Sequence, residues 1–107
     1  MDVQGNFPAL LRLLGDDVRL RLLRVLHAER LNVTELTSIL GIAQSGVSRH
    51  LGLLKEAGLV SEQRHGRERR YHLHPERLDE VRKWMHTLDR FWDDRLDRLR
   101  RHLEENP

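Results

Sequence analysis

The chain has 107 residues, of which 34% are charged and 38% hydrophobic, a balance that supports one folded domain and argues against disorder. Its net charge is only +2, so any case for an anionic partner rests on where the charges sit. The absence of cysteine excludes disulfides, thiolate metal sites and cysteine nucleophiles, and no apolar run approaches membrane-spanning length.

Residues 1–6 lack the basic start of a secretory leader, which leads us to expect a cytoplasmic protein. Pro8 opens a short leucine-rich helix that closes at Gly15. Asp16 is placed to cap a second helix over 17–27, with Val18, Leu22, Val25 and Leu26 on its apolar stripe and Arg19, Arg21 and Arg24 on a solvated back. Asn32-Val33-Thr34-Glu35 has capping-box spacing, which starts a third helix over 33–40. Gly41 stops it, and a fourth helix follows from Gln44 to Ala57, ended by Gly58. The period then changes: Leu59-Val60 and 69–73 are expected as two short strands around a loop at His65-Gly66-Arg67. Tyr71 and Leu73 should face the core, and Arg70 and His72 the other way. After Pro75 a long helix is predicted over 77–104, its apolar residues from Leu78 to Leu103 spaced 3, 4, 3, 4, 4, 3, 4 as in a heptad seam.

A helix, tight turn and helix followed by a hairpin predicts a mainly α fold with a small β-hairpin (α+β), a winged helix-turn-helix with a long C-terminal dimerisation helix. We expect one domain over 1–107, with the helix-turn-helix at 32–57, the wing at 59–74 and the dimerisation helix at 77–104. On the fourth helix Val47, Leu51 and Leu54 form a docking face, while Ser45, Ser48, Arg49 and Gly52 form another. The short serines allow close approach to the major groove, Arg49 can reach guanine or phosphate, and Gln44 can meet an adenine edge or a phosphate at the helix start. Arg64, His65, Arg67, Arg69 and Arg70 crowd the wing beside only Glu62 and Glu68, a footprint suited to phosphates. Duplex DNA is the expected partner, with Gln44, Ser45, Ser48, Arg49, His50, Arg64, Arg67, Arg69 and Arg70 at the interface.

These residues resemble the ArsR/SmtB-type bacterial repressors over nearly the whole chain. The resemblance is carried by 14–23 (LGDDVRLRLL), 40–51 (LGIAQSGVSRHL), 53–60 (LLKEAGLV) and 66–73 (GRERRYHL). It implies a homodimer on a palindromic operator, repression relieved by an inducer, and packing of the first and last helices. The expected dimer residues are Leu10, Leu14, Leu88, Trp92, Leu96 and Leu99. It also places His50 near the DNA backbone, with helix packing as the other option. Ala43 stands where the family commonly has a capping serine, and Asp17 where proline is frequent.

Many members of that family sense metals. One common site uses cysteines in the third helix, and this chain has none. The other, counted without gaps from Tyr71-His72-Leu73, falls on Pro75, Arg77, Leu88 and Phe91, none of which ligates as imidazole or carboxylate would. We therefore expect no metal and no cofactor, although His72 with His74, and His86 with Asp89, leave room for a non-standard site. The stretch 90–99 (RFWDDRLDRL) resembles a metal-independent branch of the family. Nothing in the sequence suggests an enzyme: there is no phosphate-binding glycine loop, paired-carboxylate pocket or serine elbow. Part of a larger regulator and a protein-interaction module are the other options, and the polar end at 104–107 suggests a natural terminus.

Overall fold

The computed structural model describes residues 7–106; residues 1–6, on which the expectation about a secretory leader rests, and Pro107, the last residue of the polar end, lie outside the described residues. Five helices and one hairpin follow in the order α1 (Phe7–Leu14), α2 (Asp17–Ala28), α3 (Val33–Leu40), α4 (Gln44–Glu56), β1 (Val60–His65), β2 (Glu68–Leu73) and α5 (Glu76–Glu105). This is the mainly α fold with a small β-hairpin and long last helix that the sequence predicts. The chain divides into a unit up to Arg77 and a second from Leu78 onward.

In the first unit the helix boundaries follow local chemistry. Asp16 accepts a hydrogen bond from the Arg19 amide at 3.0 Å, which satisfies one orphan donor at the start of α2. At α3 the box is complete: the Asn32 side chain accepts from the Glu35 amide at 2.8 Å, and Glu35 accepts from the Asn32 amide at 3.1 Å. Gly41 ends α3 in the left-handed region at φ 69°. Beyond α4, Gly58 at φ 78° donates to the Lys55 carbonyl while Leu59 donates to the Leu54 carbonyl at 2.9 Å. That pair of bonds is a Schellman motif, and its apolar partners Leu54 and Leu59 are fully buried.

The core is built from Leu10, Leu22, Leu23, Leu26, Leu31, Leu36, Leu40, Val47, Leu51, Leu54, Leu59 and Val60. Val18 and Val25, expected on the α2 stripe, are only half-buried, and Leu23 takes a place there instead. Arg19 is also not on a solvated back; its side chain is 15% exposed.

The hairpin is longer than the sequence suggests. β1 runs on through Ser61–His65, pairing residue for residue with β2 from Val60↔Leu73 to His65↔Glu68. Ser61 to His65 are polar or charged throughout, so no alternation marks them as a strand, and the backbone ladder alone sets the pairing. Gly66 at φ 65°, followed by Arg67 at negative φ, has the φ signs of a type II′ turn. A single bridge adds to the outer edge of β2, with Leu31 and Tyr71 exchanging amide-to-carbonyl bonds of 3.1 and 2.8 Å.

The second unit is α5 from Leu78 onward. None of the residues of this 30-residue helix is buried. Trp84, Met85, Leu88, Phe91, Trp92, Leu96, Leu99 and Leu103 are all at least 37% exposed. Arg95 lies over the Phe91 ring at 5.0 Å, and Phe91 meets Trp92 edge-on at 5.8 Å between centroids. Asp97 engages Arg100, three residues on, at 3.4 Å. No helix among the described residues is long and apolar enough to cross a membrane.

Candidate nucleic-acid interface

The two faces of α4 are set by its helical period. Val47, His50, Leu51 and Leu54 point inward, and Gln44, Ser45, Ser48, Arg49 and Gly52 are exposed. A Cβ built on Gly52 would meet nothing within 4 Å, so the middle of the exposed face is open to a large approaching body. At its start the helix lacks a side-chain cap, because Ala43 carries no acceptor. Its first amides are therefore available to an anion, as at other helix N-termini.

His50 departs from the expected set. It is 7% exposed, and its Nδ1 lies 3.3 Å from Arg19 Nη1 on α2. Arginine only donates, so a hydrogen bond here requires Nδ1 to be the acceptor, which is the tautomer with the ring proton on Nε2. The sequence carries the sign of this placement: His50 follows Val47 by three and precedes Leu54 by four, on the docking stripe. His50 is therefore removed from the groove-facing set. Arg19, which sequence reasoning left on the solvent side, is the residue that holds it.

The wing's basic residues fall into two groups. Glu62 is engaged by Lys55 at 2.5 Å and accepts from the Tyr71 hydroxyl, and these contacts hold its carboxyl below the usual range. Glu68 accepts from the Asn32 side-chain amide and from Arg70 Nε, the latter at 3.1 Å, and is lowered for that reason. Arg70 is thus half-buried and already neutralised. Arg64, Arg67 and Arg69 are exposed and have no ion pair among the described residues. Arg64 and Arg69 also stand directly opposite each other in the ladder, a like-charge pair that an external anion would relieve.

Tyr71 and Leu73 lie on one face of the hairpin with Val60 and Glu62, and Arg70 and His72 on the other. Burial raises the Tyr71 hydroxyl pKa, and burial lowers that of the His72 imidazole. Of the residues expected to pair two copies, Leu10 is 1% exposed and fills the core, so it is not available to a partner. Leu14 is half-buried, and Leu88, Trp92, Leu96 and Leu99 are exposed. No group of three or more His, Asp or Glu side chains among the described residues is placed to hold a metal ion.

Comparisons with known proteins agree with this architecture. A helix-turn-helix domain model matches residues 14–63. The chain is 38% identical over 82 residues to the arsenic resistance transcriptional regulator ArsR1 of Pseudomonas putida, covering 76% of this chain and 61% of that protein. It is 40% identical over 73 residues to the transcriptional repressor SmtB of Mycobacterium tuberculosis, covering 68% of this chain and 52% of the other. The chain thus spans between 52% and 61% of the length of these curated relatives. Among solved structures, a possible transcriptional regulator for arsenical resistance superposes with a TM-score of 0.66 at 37% identity, over 83% of this chain and 90% of that one. An ArsR-like regulator from Rhodococcus sp. RHA1 gives 0.70 at 26% identity, over 84% and 85%.

Proposed function

Because the chain belongs to the ArsR family of winged helix-turn-helix regulators, we propose that it binds duplex DNA in a sequence-specific way and regulates transcription, as a homodimeric repressor in the cytoplasm. The observation that carries this is the open α4 face, Gln44, Ser45, Ser48 and Arg49, beside a wing whose Arg64, Arg67 and Arg69 are exposed and close no ion pair among the described residues. α4 reads base edges, and the wing arginines hold phosphates. A second copy pairs along the exposed apolar stripe of α5, so that the operator is a two-fold repeat of half-sites.

The relatives named for arsenic resistance do not carry their signal over to this chain. With no cysteine there is no thiolate for a thiophilic metalloid, and the positions of the family's last-helix site hold Pro75, Arg77, Leu88 and Phe91. The function is therefore that of a metal-independent member. Duplex binding measured from 50 to 200 mM salt tests the reading. Affinity should fall steeply across that range as counterions are released, whereas a flat response, or no binding at the lowest salt, excludes it.

A further inference from the structure

Arg19 and His50 form a polar tie between α2 and the groove-facing helix. α4 starts without a side-chain cap and carries Gly46 in its first turn, where an added Cβ would meet only the Ile42 side chain at 3.8 Å. Its position therefore depends on its buried face. There Val47, Leu51 and Leu54 are apolar, and His50 is the one buried polar residue among the described residues. Apolar packing is non-directional, and a hydrogen bond adds a directional restraint on the register of the helix.

The other end of that bond is itself anchored. Arg19 Nε donates to the Leu13 carbonyl at 2.7 Å and Nη2 to the Arg12 carbonyl at 3.3 Å, both in the last turn of α1. Nη1 lies 3.9 Å from the Asp16 carboxylate and donates to His50 Nδ1 at 3.3 Å. The guanidinium is thus held by Nε and Nη2 on the α1 carbonyls, and its Nη1 lies between Asp16 and the recognition helix.

We infer that the Arg19–His50 bond positions α4 for DNA and that protonation of His50 releases it, so that this regulator loses operator discrimination on mild acidification. Nδ1 accepts from Arg19 only while the ring is neutral. Once protonated, two donors and two positive charges face each other across the same gap. Asp16, the N-cap of α2, faces both side chains, and its carboxyl is lowered first by the Arg19 amide and also by the charges of Arg19 and His50; it offsets part of the added charge but does not restore an acceptor on His50 for Arg19. The one ionisable side chain of α3, Glu35, is engaged with Asn32, and Glu62 of β1 is engaged with Lys55. Arg12, the one ionisable side chain of α1, lines a cavity together with Arg19 and with Glu56 of α4. Arg19 and His50 are positioning residues and touch no DNA themselves.

The inference rests on the DNA-binding function proposed above, and its test separates the two. In the free protein at pH 7.5, nitrogen shifts of the His50 ring should show the Nε2–H tautomer, and amide exchange over 44–50 should accelerate about tenfold on going to pH 5.5 after correction for intrinsic rates. His50→Asn places an amide oxygen near the position of Nδ1 and does not titrate, so its exchange should be unchanged between the two pH values. An Nδ1–H tautomer, or wild-type exchange that ignores pH, overturns the tie whether or not the variant folds. A duplex selected by the wild-type protein from a random pool at pH 7.5 is then compared with an unselected duplex of equal length. The ratio of the two affinities should fall about tenfold at pH 5.5 for wild type and hold for His50→Asn. Equal loss in both proteins overturns the link to DNA. Failure of the wild type to bind any duplex at pH 7.5 overturns the DNA function itself.

Discussion

Arg49 and Arg67 carry the same charge in different settings. Arg49 projects from the exposed face of α4, while Arg67 occupies the second turn position of the hairpin; on the proposed function the first addresses base edges and the second phosphates. Arg49→Ala should therefore cost roughly 1–3 kcal/mol on a selected operator and much less on random duplex. Arg67→Ala should weaken both alike and lower the salt slope by about one. Titrations of the two variants against both duplexes at several salt concentrations check the pair, and equal loss of discrimination would reverse the roles. The exposed set on α4 was legible from the helical period. The family resemblance places His50 near the DNA backbone, whereas its spacing from Val47 and Leu54 puts it inside, the helix-packing option that the sequence also leaves open. Leu10 was missed for a similar reason, since a leucine in a short first helix serves core and interface equally well by pattern, and only packing separates them.

At the scale of elements, helix ends were the most legible feature, because a cap is a local bond between residues three apart. Asp16, the Asn32–Glu35 box, Gly41 and Gly58 all do what their positions imply. The uncapped start of α4 gives a signed expectation: Ala43→Ser should raise stability by about 1 kcal/mol, and Asn32→Ala should lower it by about as much, both read from thermal melting. Strand β1 was legible only at its first residue, and the Leu31 bridge not at all, because one extended residue has no periodicity to detect. The wing also carries a pH dependence. Glu62 and Glu68 have folded pKa values below their ordinary range, so the contacts with Lys55, Asn32 and Arg70 are fully formed above that range and are lost as pH falls through the lowered values. Amide protection in β1 and β2 should hold at pH 6 and decline below about pH 4, and Glu68→Gln should weaken the protection at pH 6 while reducing the acid-dependent part of the loss.

For the whole molecule, most of the large hydrophobic side chains exposed among the described residues lie on α5. Leu96 and Leu99 are 58% and 55% exposed, which is costly in water and reasonable in a paired helix. Leu96→Asp should shift the sedimenting mass toward the monomer and weaken binding to a two-half-site operator, while leaving the melting of the first unit's core nearly unchanged. A dimer mass that survives this change would move the contact elsewhere. The general fold was readable because turn signals and periodicity agreed along the chain.

The Leu31–Tyr71 bridge bears on the order of assembly. It joins residues on either side of α3 and α4, so its two hydrogen bonds close a long loop and repay that entropy only after the intervening helices have compacted. Docking of the hairpin is thus a late step, and a nascent or thermally stressed chain would hold its helices and the local β1–β2 ladder before the wing is fixed against Leu31.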